Sequence, residues 1–223
     1  MSEARAEDLQ IAGLVPFSTV DWPGRLVATV FLQGCPWRCT YCHNPGLIPT
    51  RTPGTIAWQE VRELLAERHG LLDGVVFSGG EPTRQRALAA AMREVREAGL
   101  DVGLHTSGAY PARLREVVHL ADWVGLDVKA PWDRYALVTG VASSGARARE
   151  SLEVVLAAGV PVQLRTTVDP TVLTEDDVAR VRAELAVRGA GGLVLQEVRS
   201  EGTRPEYAAA LAAVRRGERA PAG

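Results

Sequence analysis

Residues 26–42 read LVATVFLQGCPWRCTYC, an apolar run followed by a loop that carries every cysteine of the chain. The run is rich in β-branched and aliphatic residues, which predicts a buried strand. Cys35, Cys39 and Cys42 follow it with the spacing C-x3-C-x2-C. Three cysteines packed this closely argue against a disulfide framework. The spacing instead lets a single loop supply several thiolates to a small metal centre.

The number of cysteines restricts the kind of metal centre. Structural zinc normally takes four protein ligands, and most iron–sulfur clusters take four cysteines. A four-iron cluster held by three thiolates leaves one iron open to another ligand. The alternative is a zinc site in which His43 is the fourth ligand, but adjacent residues such as Cys42 and His43 rarely chelate one ion without strain. The pattern favours an iron–sulfur centre and leaves zinc as the alternative.

The rest of the chain alternates predicted strands with predicted helices. Helical periodicity is found around Trp58–Leu65, before Gly70, and over 84–98, 112–120, 146–158 and 175–188. Such alternation is typical of βαβ units and a parallel sheet. Six apolar stretches are predicted as strands: 26–32, 74–77, 102–105, 123–128, 162–168 and 193–198.

Six units are too few for a closed eight-fold barrel. We therefore expect an α/β fold of the open, partial (β/α)6 barrel type with a parallel sheet, and a doubly wound sheet is the competing topology. No linker is evident, so a single domain is expected over 1–223, with frayed tails at 1–10 and 217–223. In either topology the functional residues should lie at the C-terminal ends of the strands.

Overall composition excludes several classes of function. The 25 basic and 27 acidic residues give a net charge of −2, which does not suit a nucleic-acid-binding surface. No apolar run is long enough to suggest a membrane span, and the polar N-terminal residues do not resemble a secretory signal. We expect a cytoplasmic protein that binds neither nucleic acid nor membrane. Lys129 is the only lysine beside 24 arginines, which makes its position notable.

The C-x3-C-x2-C motif with Tyr41 before its last cysteine resembles the signature of the radical S-adenosylmethionine superfamily. The sequence GGEP at 79–82, one predicted helix later, resembles that superfamily's second motif. Three further stretches resemble activating enzymes of glycyl-radical proteins: FSTVDWPG at 17–24, FLQGC at 31–35 and CHNP at 42–45. Within that group, the segments DWPG at 21–24, GLLDGVVFSGG at 70–80, LDVKAP at 126–131 and VTG at 138–140 are most similar to activators of anaerobic ribonucleoside-triphosphate reductase.

This resemblance implies a role for each matching position. Cys35, Cys39 and Cys42 would hold a [4Fe–4S] cluster, whose open iron would chelate S-adenosylmethionine. Asp21 and Arg165 match family positions that hold the glycine loop of the partner. The residues implied in binding S-adenosylmethionine are Tyr41, Ser78, Gly79, Gly80, Glu81, Thr106, Asp127 and Lys129. Among them, Glu81 would help to fix the glycine turn, and the Lys129 ammonium would face the methionine carboxylate.

The implied reaction begins with one electron from a donor such as flavodoxin or ferredoxin. Reductive cleavage of S-adenosylmethionine would then give a 5′-deoxyadenosyl radical, which removes hydrogen from a glycine of a partner enzyme, such as an anaerobic ribonucleoside-triphosphate reductase. Two alternatives stay open: a radical enzyme acting on a small molecule, similar to 7-carboxy-7-deazaguanine synthase, and a non-catalytic zinc-binding module.

The sequence departs from pyruvate formate-lyase activators at two positions. Those proteins carry an aspartate that helps to bind a monovalent cation where this chain has His105, which puts that cation site in doubt. They also have a histidine after the last strand, for which Gln196 or Arg199 could substitute here. Other candidates have structural alternatives: Asp127 and Lys129 could cap their strand, and Arg165 could pair with Asp169 or an acidic neighbour.

Overall fold

A computed structural model describes residues 4–218. Its centre is a seven-stranded sheet in which the strands lie in the order of the sequence. This order never reverses, so the doubly wound alternative is wrong and the open, partial barrel is confirmed. The strands are β1 (Ile11–Ser18), β2 (Val27–Leu32), β3 (Gly74–Gly79), β4 (Asp101–Thr106), β5 (Trp123–Asp127), β6 (Val162–Val168) and β7 (Val194–Glu197).

Strand β1 is a correction to the sequence prediction, which placed no strand before residue 26. It pairs antiparallel with β2, whereas every other neighbouring pair is parallel. Gly13 and Pro16 interrupt the alternating pattern that would identify a strand. Proline is tolerated because β1 is an edge strand whose register shifts between Val15 and Ser18.

Helices cover the outside of the sheet and follow the predicted stretches closely. Two helices were not predicted, one of five residues after β5 and one after β7. The predicted helix over 84–98 begins later, because a short 3-10 turn, Pro82–Arg84, precedes it. The helices are α1 (Trp58–Glu67), α2 (Leu88–Glu97), α3 (Pro111–Val117), α4 (Tyr135–Thr139), α5 (Ser144–Ala158), α6 (Glu175–Ala186) and α7 (Pro205–Arg215). None of the described helices combines the length and apolarity that a membrane span needs.

Strand alternation separates two sets of side chains. In β3, Val75 and Phe77 belong to the main core, whereas Val76 belongs to a second, smaller cluster with Trp22, Val27 and Trp123. The Trp22 and Trp123 rings are stacked with centroids 5.4 Å apart. Because successive side chains alternate between faces, Ser78 lies on the same face as Val76, one step nearer the C-terminal end. The smaller cluster therefore forms an apolar layer next to the polar residues at the C-terminal strand ends.

The N-terminal segment is a second correction. Residues 1–10 were predicted to be a frayed tail, but Ala6–Asp8 form a 3-10 helix, and Ala6 and Leu9 are only 1% and 4% exposed. The backbone N–H of Gln10 also donates to Gln85 Oε1 at 2.8 Å. Because the segment is mostly polar, its composition did not indicate that Ala6 and Leu9 are buried. Residues 1–3, and most of the predicted tail at 217–223, lie outside the described residues.

Candidate active site

One cavity of about 310 Å³ lies where the parallel strands end. It brings together the cysteine loop, the glycines after β3 and the charged residues of β5 and β6. Glu81 is the one predicted site residue that does not line it. The predicted residues that do are Asp21, Cys35, Cys39, Tyr41, Cys42, Ser78, Gly79, Gly80, Thr106, Asp127, Lys129 and Arg165.

The cysteine loop is held by backbone hydrogen bonds, and its three thiols are free. Cys35 N–H donates to the carbonyl of Ile48 at 3.1 Å. Arg38 and Thr40 N–H donate to the carbonyls at the end of α4, at 3.0 and 2.9 Å. The short helix α4, which the sequence pattern did not predict, therefore supports the loop from one side.

The environment of the thiols suits metal ligands. Burial raises the pKa of Cys35 to about 12 and also raises the pKa of Cys39. Burial thus favours the neutral thiol at Cys35 and Cys39, and metal binding favours the thiolate. A buried apolar surrounding without a metal would make them inert rather than nucleophilic.

The geometry weighs against a single zinc ion. Within residues 4–218, no group of three or more His, Cys, Asp or Glu side chains is arranged to hold one metal ion. The proposed fourth zinc ligand, His43, has its Nε2 3.2 Å from the carbonyl oxygen of Arg199. In a four-iron cluster each cysteine binds a different iron, so the thiolates do not have to converge on one point. The donor set therefore fits a cluster better than zinc.

Gly79 and Gly80 have a reason in the protein itself to lack side chains. Gly79 has φ +113°, and a Cβ there would lie 2.3 Å from the backbone nitrogen of Leu32. A Cβ at Gly80 would lie 2.5 Å from the carbonyl oxygen of Gly34. These contacts bring the end of β3 against the start of the cysteine loop. The glycines therefore set the distance between the two motifs that the sequence singled out.

Glu81 lies beneath the cavity as a hydrogen-bonding centre and is fully buried. Its Oε1 accepts bonds from the N–H and hydroxyl of Thr83, at 3.1 and 2.6 Å, and from the Thr106 hydroxyl at 2.7 Å. Its Oε2 accepts from the N–H and hydroxyl of Ser107, at 2.8 and 2.5 Å. The resemblance implied that Glu81 helps to fix the turn at Gly79 and Gly80, and these hydrogen bonds give it a positioning role between the ends of β3 and β4.

A charged cluster forms the opposite wall of the cavity. Lys129 Nζ lies 3.1 Å from Asp127 Oδ2 and 3.5 Å from the Tyr41 hydroxyl. Arg165 Nη2 lies 3.0 Å from Asp127 Oδ1. Burial opposes ionisation of Asp127, but the two cations prevail and hold its pKa at about 2. Burial likewise opposes the charge on Lys129, whose pKa Asp127 nevertheless raises well above its usual value. Two cations thus surround one carboxylate.

His105 joins this cluster to the loop that carries Asp21. Its Nε2 is 2.7 Å from the Asp21 carbonyl oxygen and 3.1 Å from Arg165 Nη1, and its Nδ1 is 3.2 Å from Ser78 Oγ. The Asp21 carbonyl can only accept and the Arg165 guanidinium can only donate, so the hydrogen-bond roles of Nε2 and Nδ1 depend on the tautomer of the ring. Burial, followed by the charge of Arg165, lowers the pKa of His105 to about 4. A Cβ at Gly125 would lie 2.9 Å from His105, so glycine makes room for the ring.

Gln196 and Arg199, the two residues that could substitute for the histidine of pyruvate formate-lyase activators, differ in position. Gln196 lines the cavity, and Thr167 Oγ1 donates to its Oε1 at 3.4 Å, whereas Arg199 contributes only a backbone carbonyl to His43. The sequence had allowed Arg165 to pair with Asp169 or with an acidic neighbour, and it pairs with the neighbour Asp127. Three lining residues were not predicted to lie at the site, because single polar or apolar residues in loops give no pattern: Asn44, Leu47 and Ile48.

Comparison with known proteins agrees with this geometry. The family model described as the radical SAM superfamily matches residues 29–185. The chain belongs to the radical SAM superfamily. Radical SAM proteins use a [4Fe–4S] cluster and S-adenosylmethionine, and the three free thiols on one loop fit such a cluster. The predicted resemblance to the superfamily is confirmed.

Two relatives of this chain are named as activating enzymes. A Methanocaldococcus jannaschii protein, named as a candidate glycyl-radical enzyme activating enzyme, is 32% identical over 176 residues, which cover 75% of this chain and 72% of that protein. The pyruvate formate-lyase-activating enzyme of Clostridium pasteurianum is 30% identical over 182 residues, covering 79% and 75%. The solved structure of anSMEcpe with bound AdoMet has a TM-score of 0.58 at 18% identity and covers 75% of this chain. Since this chain spans 49% of anSMEcpe, that likeness supports the fold alone.

Proposed function

We propose that this radical SAM enzyme generates a glycyl radical on a partner protein, and that the partner is an anaerobic ribonucleoside-triphosphate reductase. The observation that carries the proposal is the meeting of three free cysteines with the Asp127–Lys129–Arg165 cluster in one cavity. The names of the relatives support activation of a glycyl-radical enzyme. The choice of reductase rests on the DWPG, LDVKAP and VTG segments of the sequence.

The proposed cofactor site divides into two parts. Cys35, Cys39 and Cys42 would hold the cluster, which, when bound, would supply the electron for cleaving S-adenosylmethionine into methionine and a 5′-deoxyadenosyl radical. Lys129 orients the methionine carboxylate. The two cations around Asp127 leave one positive charge in local excess, and a charge-assisted bond to a carboxylate is stronger than a neutral one.

The remaining residues place the cofactor around these charges. The backbone of Gly79 and Gly80 receives the amino group, and the backbone of Tyr41 contacts the adenine. Ser78 and Thr106 line the cavity between them, and Glu81 holds Thr106 in place through its 2.7 Å hydrogen bond. The protein thus contributes chelation, orientation and a cavity from which water is displaced.

Asp21 and Arg165 are the proposed contacts with the glycine loop of the partner. The Asp21 carboxylate accepts a 2.7 Å hydrogen bond from Thr29, and Arg165 donates to Asp127 and to the Gly125 carbonyl. To contact a partner, Arg165 would therefore give up its bond to Asp127 or to the Gly125 carbonyl and form a bond to the partner instead. Flavodoxin or ferredoxin is the proposed electron donor. A cytoplasmic location would suit three free thiols, because that compartment keeps thiols reduced.

Two experiments test the proposal in sequence. The protein is reconstituted anaerobically with iron and sulfide, reduced with dithionite in the presence of S-adenosylmethionine, and assayed for 5′-deoxyadenosine, with Cys39→Ala as the control. The active protein is then mixed with purified anaerobic reductase or with pyruvate formate-lyase, and the glycyl radical is measured by electron paramagnetic resonance. A radical on the reductase supports the proposal. Tight zinc binding without a cluster would instead favour the zinc-binding module.

A further inference from the structure

The C-terminal segment contacts the cysteine loop from outside the region that the family model matches. Arg204 directly precedes α7, and its Nη2 donates to the carbonyl oxygens of Cys39 at 2.9 Å and Thr40 at 3.3 Å. One side chain thus binds the backbone of a proposed cluster ligand and of the residue that follows it. The matched region ends at residue 185, so this contact is additional to it.

A buried carboxylate adds a second link between the same two segments. Asp169 is fully buried and follows the end of β6. Its Oδ2 accepts a 2.5 Å bond from the Thr40 hydroxyl, and its Oδ1 accepts a 2.8 Å bond from the hydroxyl of Tyr207 in α7. Thr171 donates to Oδ1 from both its N–H and its hydroxyl, at 3.0 and 2.7 Å. A carboxylate with four donors is fixed in position, and Thr40 is fixed with it.

The backbone after β7 makes a third contact, with the residue that follows the last cysteine. Gly202 has φ +79°, and a Cβ there would lie 2.6 Å from the His43 carbonyl oxygen. The His43 ring nitrogen Nε2 is 3.2 Å from the Arg199 carbonyl oxygen. This close approach requires glycine at 202, which indicates that the segment packs directly on the loop.

These contacts complement those on the other side of the loop. The Arg38 and Thr40 N–H groups donate to carbonyls at the end of α4, whereas the Cys39 and Thr40 carbonyls accept from Arg204. The N–H groups of the loop thus bond to α4, and its carbonyl groups bond to Arg204 in the C-terminal segment. The backbone around the middle cysteine is held on both sides by groups distant in sequence.

We propose that Arg204, Asp169 and Tyr207 form a clasp that positions the cysteine ligands, and that Arg204 also raises the reduction potential of the cluster. The inference rests on the proposed cluster site at Cys35, Cys39 and Cys42. Groups behind the direct ligands orient them and affect metal affinity by about 10- to 100-fold. Cluster potential depends on nearby charge and hydrogen bonding, and the positive charge of Arg204 beside Cys39 favours the reduced, more negative state.

The test compares four reconstituted proteins with the wild type. Arg204→Met removes the bonds and the charge, Arg204→Lys keeps the charge, and Tyr207→Phe removes only the bond to Asp169. Arg182→Met, at an exposed position on α6, is the matched control. The cluster midpoint potential is measured by a redox titration followed by electron paramagnetic resonance. Iron release to a chelator is followed by absorbance in the same samples.

We expect Arg204→Met to release iron about 10 to 100 times faster than wild type and to shift the midpoint potential downward. Arg204→Lys should release iron faster while its potential stays near the wild-type value. Tyr207→Phe should affect iron release alone, and Arg182→Met should affect neither quantity. A general loss of stability would change iron release alone, whereas the proposed role of Arg204 also changes the midpoint potential in Arg204→Met.

Wild-type potential and iron release in Arg204→Met would overturn the inference. If that variant does not fold, unchanged iron release in both Arg204→Lys and Tyr207→Phe would overturn the clasp. If the wild-type protein binds a cluster and the variants behave like it, the clasp is refuted and the proposed function still stands. A wild-type protein that binds no cluster overturns both.

Discussion

Replacing Glu81 with glutamine tests whether the buried carboxylate holds the strand ends in place. The carboxylate accepts five hydrogen bonds, three on Oε1 and two on Oε2. A glutamine amide has only one oxygen, so it can satisfy the three donors on the Oε1 side. Its NH2 group then faces Ser107, whose N–H and hydroxyl donated to Oε2.

The cost follows from the donors left without an acceptor. The Ser107 hydroxyl can rotate, but its backbone N–H is buried and has no alternative, which costs about 1–3 kcal/mol. The three retained bonds also change from charged to neutral, and charge-assisted bonds are roughly twice as strong. We expect a total loss of about 3 kcal/mol. For a chain of this size that corresponds to a fall in Tm of about 6 to 12 °C.

Thermal unfolding of the cluster-loaded protein measures this effect by circular dichroism under anaerobic conditions. Scan rates must be equal, because a protein that loses a bound cluster need not unfold reversibly. Glu67→Gln, at an exposed position on α1, controls for the change of charge. Ser107→Ala, which removes only the hydroxyl bond, should lower Tm by less than Glu81→Gln does. A Glu81→Gln protein with the same Tm as Glu67→Gln would refute the reasoning.

Three further predictions concern the cavity. Lys129→Met removes the ammonium beside Asp127, so KM for S-adenosylmethionine should rise about 10- to 100-fold, and an unchanged KM would exclude a contact with the methionine carboxylate. Gly80→Ala would place a Cβ 2.5 Å from the Gly34 carbonyl oxygen, so the reconstituted variant should contain less than about half the wild-type iron per chain, and full iron content would contradict the strain. The pKa of His105 is lowered from 6.5 to about 4, so the unfolded chain binds its proton first as pH falls, and stability is lost between those values. Relative to His105→Asn, the wild type should lose about 2–3 kcal/mol over that range, and parallel Tm profiles of the two proteins would show that the buried imidazole is not the cause.

The parallel strands were predictable because their sequence signal is strong. Both faces of β3 are covered, so Val75, Val76 and Phe77 form a continuous apolar run. The cavity followed from the same pattern, because polar residues appear directly where such runs end. Asp127 and Lys129, for example, close the run of β5 and lie in the predicted cavity. The pairing of Asp127 with Arg165 required the register of β5 against β6, which a single sequence does not specify.

The features that sequence analysis missed lack such a local signal. Strand β1 carries Gly13 and Pro16 and pairs at the edge, so its pattern resembles a loop. The contacts of Arg204 with Cys39 and Thr40 span 165 and 164 residues, and Asp169 links Thr40 to Tyr207 over 129 and 38 residues, so the neighbouring sequence does not indicate them. The GGEP motif indicated that Glu81 fixes the glycine turn, but its bonds to Thr106 and Ser107 depend on how β3 and β4 lie side by side, which the motif does not show.

The separation in sequence between Thr40 and Tyr207 has a consequence for how the protein is made. The two residues meet only through Asp169, so the cysteine loop gains its last supports when α7 has left the ribosome and docked. Closing contacts over such a distance is slow compared with forming a helix. Until α7 docks, a nascent chain therefore lacks these supports around Cys39 and Thr40, and stable metal binding should follow that docking step. Truncation before Arg204 should yield a chain that binds iron poorly even though every cysteine is present.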